Sequence, residues 1–370
     1  MPFVNQSVLL LDVPYSTLYT VFMDKVIIKA GELDDYLTAE DKTNLQNMNT
    51  LFAKALDIFP NIQEGKKDAQ ESLISVYNEM GGLLQEICLK NPRIHVYSFV
   101  SPKTEQSEAS RVTAKLRDVN TETQEFIYYI QRAYEMLFKL TWISEDSKKN
   151  HLIVKTPVNF PAQNYAIHKV ADIDDKICNT VMCVMLRGAL LPSMIISKEI
   201  EDFSSNGYIT PFALFKIYRN DKKHENDMEY NLDLEKSFFN PDTLNGKDLV
   251  FADPMNATGG SLITIVNYLL KIGIKPRSII FLNVIAALKG VIRVVRAIDN
   301  CDVYTLWMDG VLNNNAYIMP GLGDAGDRIN GYDSEANPRT IIQLLSDYGS
   351  GIAKLYRSQF SEIEKTVFNR

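Results

Sequence analysis

Apolar residues recur along the chain at two different periods, and the change from one to the other outlines its elements. The early spacing is helical: Leu45, Met48, Leu51, Phe52, Ala55, Ile58 and Phe59 form one stripe closed by Pro60, and Leu73, Val76, Tyr77, Met80, Leu84, Ile87 and Cys88 form a second that ends before Pro92. The turn Gly65-Lys66-Lys67 between them predicts a helical hairpin. Ahead of it, residues 1–37 read as short strands, with Leu18–Met23 and Val26–Lys29 as a β-hairpin about Asp24-Lys25. Ser101–Ser110 is polar, carries Pro102 and reads as a boundary. Thr121-Glu-Thr-Gln124 then has the form of a capping box, and Phe126, Ile127, Ile130, Ala133, Tyr134, Leu137 and Phe138 give the following helix one apolar face.

Beyond residue 180 the pattern becomes short apolar runs alternating with helical stripes. Val181–Met185, Phe212–Tyr218, Leu249–Ala252, Ser278–Ala287 and Val303–Met308 read as strands. Helices are expected at about 192–202, at Leu262–Ile272 with Gly273 as its stop, and at Val291–Ile298. The charged stretch Asp221–Lys247, broken by Asn240-Pro241 and Asn245-Gly246, reads as a mobile arm or flap. Strands alternating with helices predict the α/β class: a central parallel sheet with flanking helices on both faces, here joined to a mainly helical N-terminal extension over residues 1–100. Asn337-Pro338 reads as the start of a helix through Leu345, and residues 346–370 as a helical tail.

Composition narrows the picture without naming an activity. A chain of 370 residues accommodates two domains, or one with a large extension. Its net charge of -7 argues against a broad nucleic-acid surface, which needs clustered Lys and Arg. Cys88, Cys178, Cys183 and Cys301 stand singly in apolar stretches without metal-ligand spacing, so buried, reduced thiols are expected. His95, His151, His168 and His224 are equally scattered, and no protein metal site is expected. The N-terminus lacks a basic leader region and no run approaches the ~20 apolar residues of a membrane span, so the expected location is cytoplasmic, with no membrane partner. The first 100 residues contain no G-x-x-x-x-G-K-[ST] and no candidate chemistry.

Chemistry gathers where a strand gives way to a helix. Leu249–Ala252 ends at Asp253, and Pro254, Met255, Asn256 and Ala257 lead into Thr258-Gly259-Gly260-Ser261 at the head of the next helix. Two glycines let backbone N–H groups approach a ligand, two hydroxyls add donors, and a helix start carries partial positive charge, a combination suited to a phosphate monoester. Asp253 stands at the carboxyl end of its strand, where open parallel sheets bind ligands. A turn whose glycines only make the bend would also use these residue types. A second window, Tyr317-Ile318-Met319-Pro320-Gly321-Leu322-Gly323-Asp324-Ala325-Gly326-Asp327-Arg328, has neither period and reads as a structured loop able to turn backbone N–H and C=O groups toward a flat heterocycle.

Asp253-Pro-Met-x-Ala-Thr-Gly-Gly-Ser resembles the phosphoribosyl pyrophosphate loop of uracil phosphoribosyltransferases, a branch of the type I phosphoribosyltransferases, and the second window resembles their uracil-binding loop. Leu186-Arg187 and Tyr218-Arg219-Asn220 match two further motifs in the same order, so the resemblance covers roughly residues 110–335 and implies a transferase domain over 105–345. It implies that the chain joins uracil to phosphoribosyl pyrophosphate, giving UMP and pyrophosphate in pyrimidine salvage, with Mg2+ carried mainly by the pyrophosphate. Asp253, Arg187 and Arg219 are then the catalytic residues. Arg187, Arg219, Asp253, Pro254, Met255, Asn256, Ala257, Thr258, Gly259, Gly260, Ser261 and Asp324 bind phosphoribosyl pyrophosphate, and Tyr317, Ile318, Gly323, Asp324 and Ala325 bind uracil. Dimers or tetramers, and in some members a response to guanosine triphosphate, belong to the same resemblance. One departure stands out: the family has Leu-Arg-Ala-Gly, whereas this chain has Leu186-Arg187-Gly188-Ala189, which moves the glycine by one position. Together with the extension, that swap motivates an alternative, a catalytically weak nucleotide-binding homologue with a regulatory or scaffold role.

Overall fold

Runs that are apolar at every position become interior strands. The computed structural model describes residues 25–368 other than 145, 221 and 334–337. In chain order its strands are β1 (Lys25–Lys29), β2 (Ile94–Val96), β3 (Lys149–Lys155), β4 (Tyr165–Ala171), β5 (Thr180–Leu186), β6 (Phe212–Arg219), β7 (Glu229–Phe238), β8 (Asp248–Ala252), β9 (Met255–Asn256), β10 (Ser278–Ala287), β11 (Cys301–Asp309), β12 (Val311–Leu312) and β13 (Ile318–Met319). Among the described residues, a nine-stranded sheet runs β1-β7-β6-β5-β8-β10-β11-β2, with β9 beside β10. From β6 to β2 the neighbours are parallel, while β7 and β1 add an antiparallel edge. Every residue of β5 and β8 is buried, as in strands with helices on both faces.

Helices Thr123–Trp142, Leu190–Phe203, Gly260–Lys271 and Leu288–Ala297 supply those layers. Phe126, Ile130, Ala133, Tyr134, Leu137 and Phe138 are buried as their spacing requires, and Ile127 lies at the edge of the core. The capping box is not formed: Glu122 is the N-cap, and the Thr121 hydroxyl instead donates to the Lys115 carbonyl at 2.6 Å. The polar stretch 101–110 is likewise no linker, because helix Lys103–Arg117 turns the polar residues of that stretch outward and buries Ala109, Val112, Thr113 and Leu116.

The N-terminal helices Ala39–Gln63 and Lys67–Leu89 form the expected hairpin, with Gly65 at φ 76° in the turn. The first runs through Pro60 to Gln63, since a proline so near the end removes only one late hydrogen bond. Leu18–Met23 lies outside the described residues, and residues 30–34 are helical. The other expected arm, β1, pairs along its whole length with β7.

That pairing corrects the reading of 221–247 as a mobile arm. Its centre is β7, a strand of the main sheet, where Tyr230 and Leu232 are fully buried among charged neighbours that hide the alternation. The β3–β4 hairpin, a segment without a predicted element, leaves Leu152, Ile153, Phe160, Tyr165 and Ile167 exposed. At the C-terminal end, helix Ile341–Asp347 is capped by Thr340 with Gln343; Asn337, the expected cap, lies outside the described residues. Helices Gly349–Leu355 and Arg357–Phe368 follow. Cys88, Cys183 and Cys301 are buried thiols, but Cys178 is exposed at the start of the turn into β5. No described helix is long and apolar enough to cross a membrane.

Candidate active site

Strand order reverses between β5 and β8: β5 leads outward to β6, whereas β8 leads the other way to β10 and β11. The loops leaving β5, β6 and β8 therefore open onto one crevice at the carboxyl ends of the strands, the usual ligand position in such sheets. A cavity of about 330 Å³ fills it. Its wall is made by Arg187 and Gly188 after β5, Lys216 to Arg219 at the end of β6, Asp253 to Gly259 and Ser261 after β8, and Asp324, Ala325 and Gly326 from the distant glycine-rich window. Two stretches more than sixty residues apart in sequence thus meet in one cleft.

The phosphate-type loop is fixed from behind. Gly259 takes φ 74° as the N-cap of helix Gly260–Lys271, and a Cβ there would stand 2.7 Å from the Gly290 carbonyl oxygen and 2.8 Å from Val294 Cγ2. A Cβ on Gly260 would overlap the ring of Tyr230, so Gly260 does not line the cavity but seats the loop on β7. With those side chains excluded, the loop amides, Thr258 and Ser261 surround the helix N-terminus, whose partial positive charge favours an anion.

Asp253 accepts a hydrogen bond from the Met255 N–H at 3.0 Å, and its own carbonyl accepts from Asn283 Nδ2 at 3.0 Å. Burial pushes its carboxyl up to about 7; the Met255 bond opposes this, the nearby Asp324 charge adds to it, and Arg219 offsets it. Arg187 ion-pairs with Asp327 and donates to the Gly331 carbonyl at 2.8 Å. Arg219 donates to the Ala316 carbonyl at 3.2 Å and lies 5.5 Å over the Tyr317 ring. The Leu186–Arg187 peptide is cis. Gly188 has no left-handed backbone; it serves close approach, since a Cβ there would stand 3.3 Å from Gly326 Cα. The displaced glycine therefore allows the two loops to touch.

The glycine-rich window is not wholly loop. Ile318–Met319 pairs with Val311–Leu312, and Ala325–Asn330 is a short helix capped by Asp324, whose Oδ1 accepts from the Asp327 N–H at 2.9 Å. Asp324 and Ala325 line the cavity, whereas Tyr317, Ile318 and Gly323 do not: Ile318 is buried in the β12–β13 pair, and Tyr317 packs under Arg219. A clamp holds this window. Asp309, at the end of β11, accepts from the Gly321 N–H at 3.0 Å and from Arg117 Nη2 at 2.6 Å. Arg328 donates to the carbonyls of Leu116, Leu322 (2.9 Å) and Asp118 (3.0 Å) and lies 4.1 Å over Phe126.

Two participants escape sequence reasoning. Lys216 lines the cavity with its ammonium held below its usual pKa, first by burial and then by the charge of Arg187; the only signal was a lone Lys inside the apolar run Phe212–Tyr218. Asp309 had no local signal, because its partners lie on other elements.

A family model described as uracil phosphoribosyltransferase matches residues 103–331. The uracil phosphoribosyltransferase of Ureaplasma urealyticum is 32% identical over 219 residues, 59% of this chain and 92% of that protein. Uracil phosphoribosyltransferase 1 of Schizosaccharomyces pombe is 31% identical over 212 residues, 57% of this chain and 85% of that one. A solved structure from Aquifex aeolicus overlaps 60% of this chain and 94% of its own at a TM-score of 0.45 and 21% identity.

Proposed function

The chain belongs to the uracil phosphoribosyltransferase family, and from that premise we propose how its own residues carry the reaction. The enzyme transfers the phosphoribosyl group of 5-phosphoribosyl 1-pyrophosphate to N1 of uracil, giving UMP and pyrophosphate, a step of pyrimidine salvage. The observation that carries the residue assignment is the shared cavity: the loop suited to a phosphate and the loop suited to a flat ring line the same cleft.

In this reading Thr258, Gly259 and Ser261 hold the 5′-phosphate through backbone N–H groups and hydroxyls, with Gly260 fixing the loop. Asp253 accepts hydrogen bonds from the ribose hydroxyls. Pro254, Met255, Asn256 and Ala257 form the cleft wall beneath the sugar. Arg187 and Arg219 grip the pyrophosphate, and Lys216 adds a third positive charge on that side. Arg187 must exchange its Asp327 partner for phosphate oxygens, an anion-for-anion replacement that keeps the guanidinium paired. Uracil lies against Asp324 and Ala325, and Ile318 and Gly323 support that loop while Tyr317 braces Arg219.

As uracil N1 closes on C1′, the bond to pyrophosphate lengthens and positive charge develops on the ribose ring. The chain contributes position and fixed charge rather than a covalent intermediate. The carboxylates lining the cavity, Asp253 and Asp324, are oxygen donors of the kind Mg2+ takes and would face a Mg2+ carried mainly by the pyrophosphate. When bound, that ion neutralises charge on the departing pyrophosphate.

We also infer a cytoplasmic homo-oligomer, dimer or tetramer; the exposed apolar residues of the β3–β4 hairpin support self-association. Residues 105–345 then carry the transferase, and 1–100 and 346–370 extend it. The test is incubation with labelled uracil, phosphoribosyl pyrophosphate and Mg2+. Formation of labelled UMP that requires all three is expected. Binding of UMP without any pyrophosphate-dependent turnover would overturn the reading in favour of a nucleotide-binding regulator.

A further inference from the structure

The N-terminal segment reaches the underside of the phosphate loop through one buried cation. Arg293, on helix Leu288–Ala297, is fully buried. Its Nε and Nη2 donate to Asp34 Oδ1 at 3.0 and 2.7 Å, its Nη2 lies 3.0 Å from Glu225 Oε1, and its Nη1 donates to the Thr258 carbonyl at 3.4 Å. Lys289 completes the set, 2.8 Å from Glu225 and 3.5 Å from Asp34. Two cations face two carboxylates, so the buried set is charge-balanced only while Asp34 and Glu225 are both present, and removing the charge of Asp34 leaves it with a net positive charge.

The direction of these contacts matters for chemistry. In a trans peptide the carbonyl and the following N–H point to opposite sides. A Thr258 carbonyl drawn back toward Arg293 turns the Gly259 N–H the other way, away from Arg293 and toward the cavity that Gly259 lines. The Ala257 carbonyl is set by the same helix: a Cβ on Gly290 would stand 2.6 Å from its oxygen, so only glycine lets the loop rest there. Helix Leu288–Ala297 is thus the bed of the phosphate loop, and Asp34 anchors that bed to the extension. Arg296 repeats the anchorage one turn on, donating to both oxygens of Asp41 at 2.9 and 3.0 Å.

We propose that Arg293, fixed by Asp34 of the N-terminal segment, is a positioning residue that aims the backbone N–H groups of the phosphate loop, and so makes the extension a determinant of affinity for the phosphoribosyl substrate. This rests on the assignment of that loop to the 5′-phosphate. Neither residue touches the ligand, which separates the idea from a contribution of charge at the cleft itself.

Asp34→Asn keeps the shape of the contact and removes its charge. The expected result is a rise of about fivefold to tenfold in both Kd and KM for phosphoribosyl pyrophosphate, with KM for uracil and kcat within about twofold of the parent. Arg293→Lys, which cannot span Asp34 and the Thr258 carbonyl together, should lose affinity in the same selective way, and Asp34→Glu should restore it. Should Asp34→Asn not fold, Glu225→Gln loosens the same guanidinium from its other side and must give the same pattern. Unchanged affinity for phosphoribosyl pyrophosphate in the folded variants would overturn the proposal, as would equal losses for both substrates accompanied by a lowered Tm. Absence of UMP synthesis by the parent enzyme would instead overturn the functional reading, and is measured separately.

Discussion

At the scale of single residues, the site depends on carboxylates and cations whose charge is set by their surroundings. Asp253, pushed up to about 7, is largely protonated in the free enzyme below neutrality and ionised above it. The ionised form accepts from the ribose hydroxyls through both oxygens and carries the charge that strengthens those bonds, whereas the protonated form turns one oxygen into a donor, so kcat/KM for phosphoribosyl pyrophosphate should fall as pH drops below about 7, by up to about tenfold per unit. The kcat profile should stay flat over the same range, because hydroxyls of the bound substrate that donate to the carboxylate hold it ionised. Initial rates from pH 5.5 to 8.5 test this, and Asp253→Asn should remove the slope while lowering kcat/KM by about 100-fold. Arg187 gives a second residue-level prediction. Its fork now spans Asp327 and the Gly331 carbonyl, a geometry that a lysine cannot reproduce. Arg187→Ala should lower kcat/KM for phosphoribosyl pyrophosphate by about 100-fold, and Arg187→Lys should recover less than a tenth of that loss, as measured by steady-state kinetics at saturating uracil.

At the scale of elements, local patterns were legible and distant partnerships were not. The strand, loop and helix around Asp253 could be read because every residue that defines it is a near neighbour in sequence: apolar Leu249–Ala252, the glycines, then the stripe from Leu262. The arm 221–247 was misread because the charges of Glu229, Asp233, Glu235 and Lys236 obscure a strand whose burial is decided by β1 and β6 on either side. The glycine-rich window was legible as a structured loop, but its short helix from Ala325 was not, since that helix depends on Asp324 capping it and on Arg328 reaching back to Leu116 and Asp118. The role of that clamp can be measured. Arg328→Ala frees four carbonyls, those of Leu116, Leu322, Asp118 and Thr121, and removes a cation from the Phe126 face while leaving the phosphate loop untouched. KM for uracil should rise about tenfold, with KM for phosphoribosyl pyrophosphate within about twofold of the parent. Equal increases for both substrates would show that the clamp supports the whole cleft rather than the base loop.

At the scale of the whole molecule, the extension is built into the sheet rather than attached beside it. β1 covers the outer side of β7, whose Tyr230 seats Gly260, and β2 pairs with β11, whose last residue Asp309 holds the base loop. Both edges of the nine-stranded sheet therefore come from residues before 100. Met48 and Met80 of the helical hairpin also press on Gly310, where a Cβ would stand 2.6 Å from the Met48 sulfur. A chain beginning at residue 103, although it contains every residue assigned to the substrates, would expose the free side of β7 and of β11 together with the apolar surface that Met48, Leu51, Met80 and Leu84 now cover. Unpaired edges and uncovered apolar faces favour aggregation over folding. It should therefore be insoluble, or melt more than about 10 °C below the full chain, and supplying residues 1–102 as a separate polypeptide should recover part of the soluble fraction. Thermal melts and size-exclusion profiles of the two chains decide it. A truncated protein that melts with the full chain and retains its affinity for phosphoribosyl pyrophosphate would mean that β1, β2 and Asp34 are dispensable, and that the transferase folds from its own residues alone.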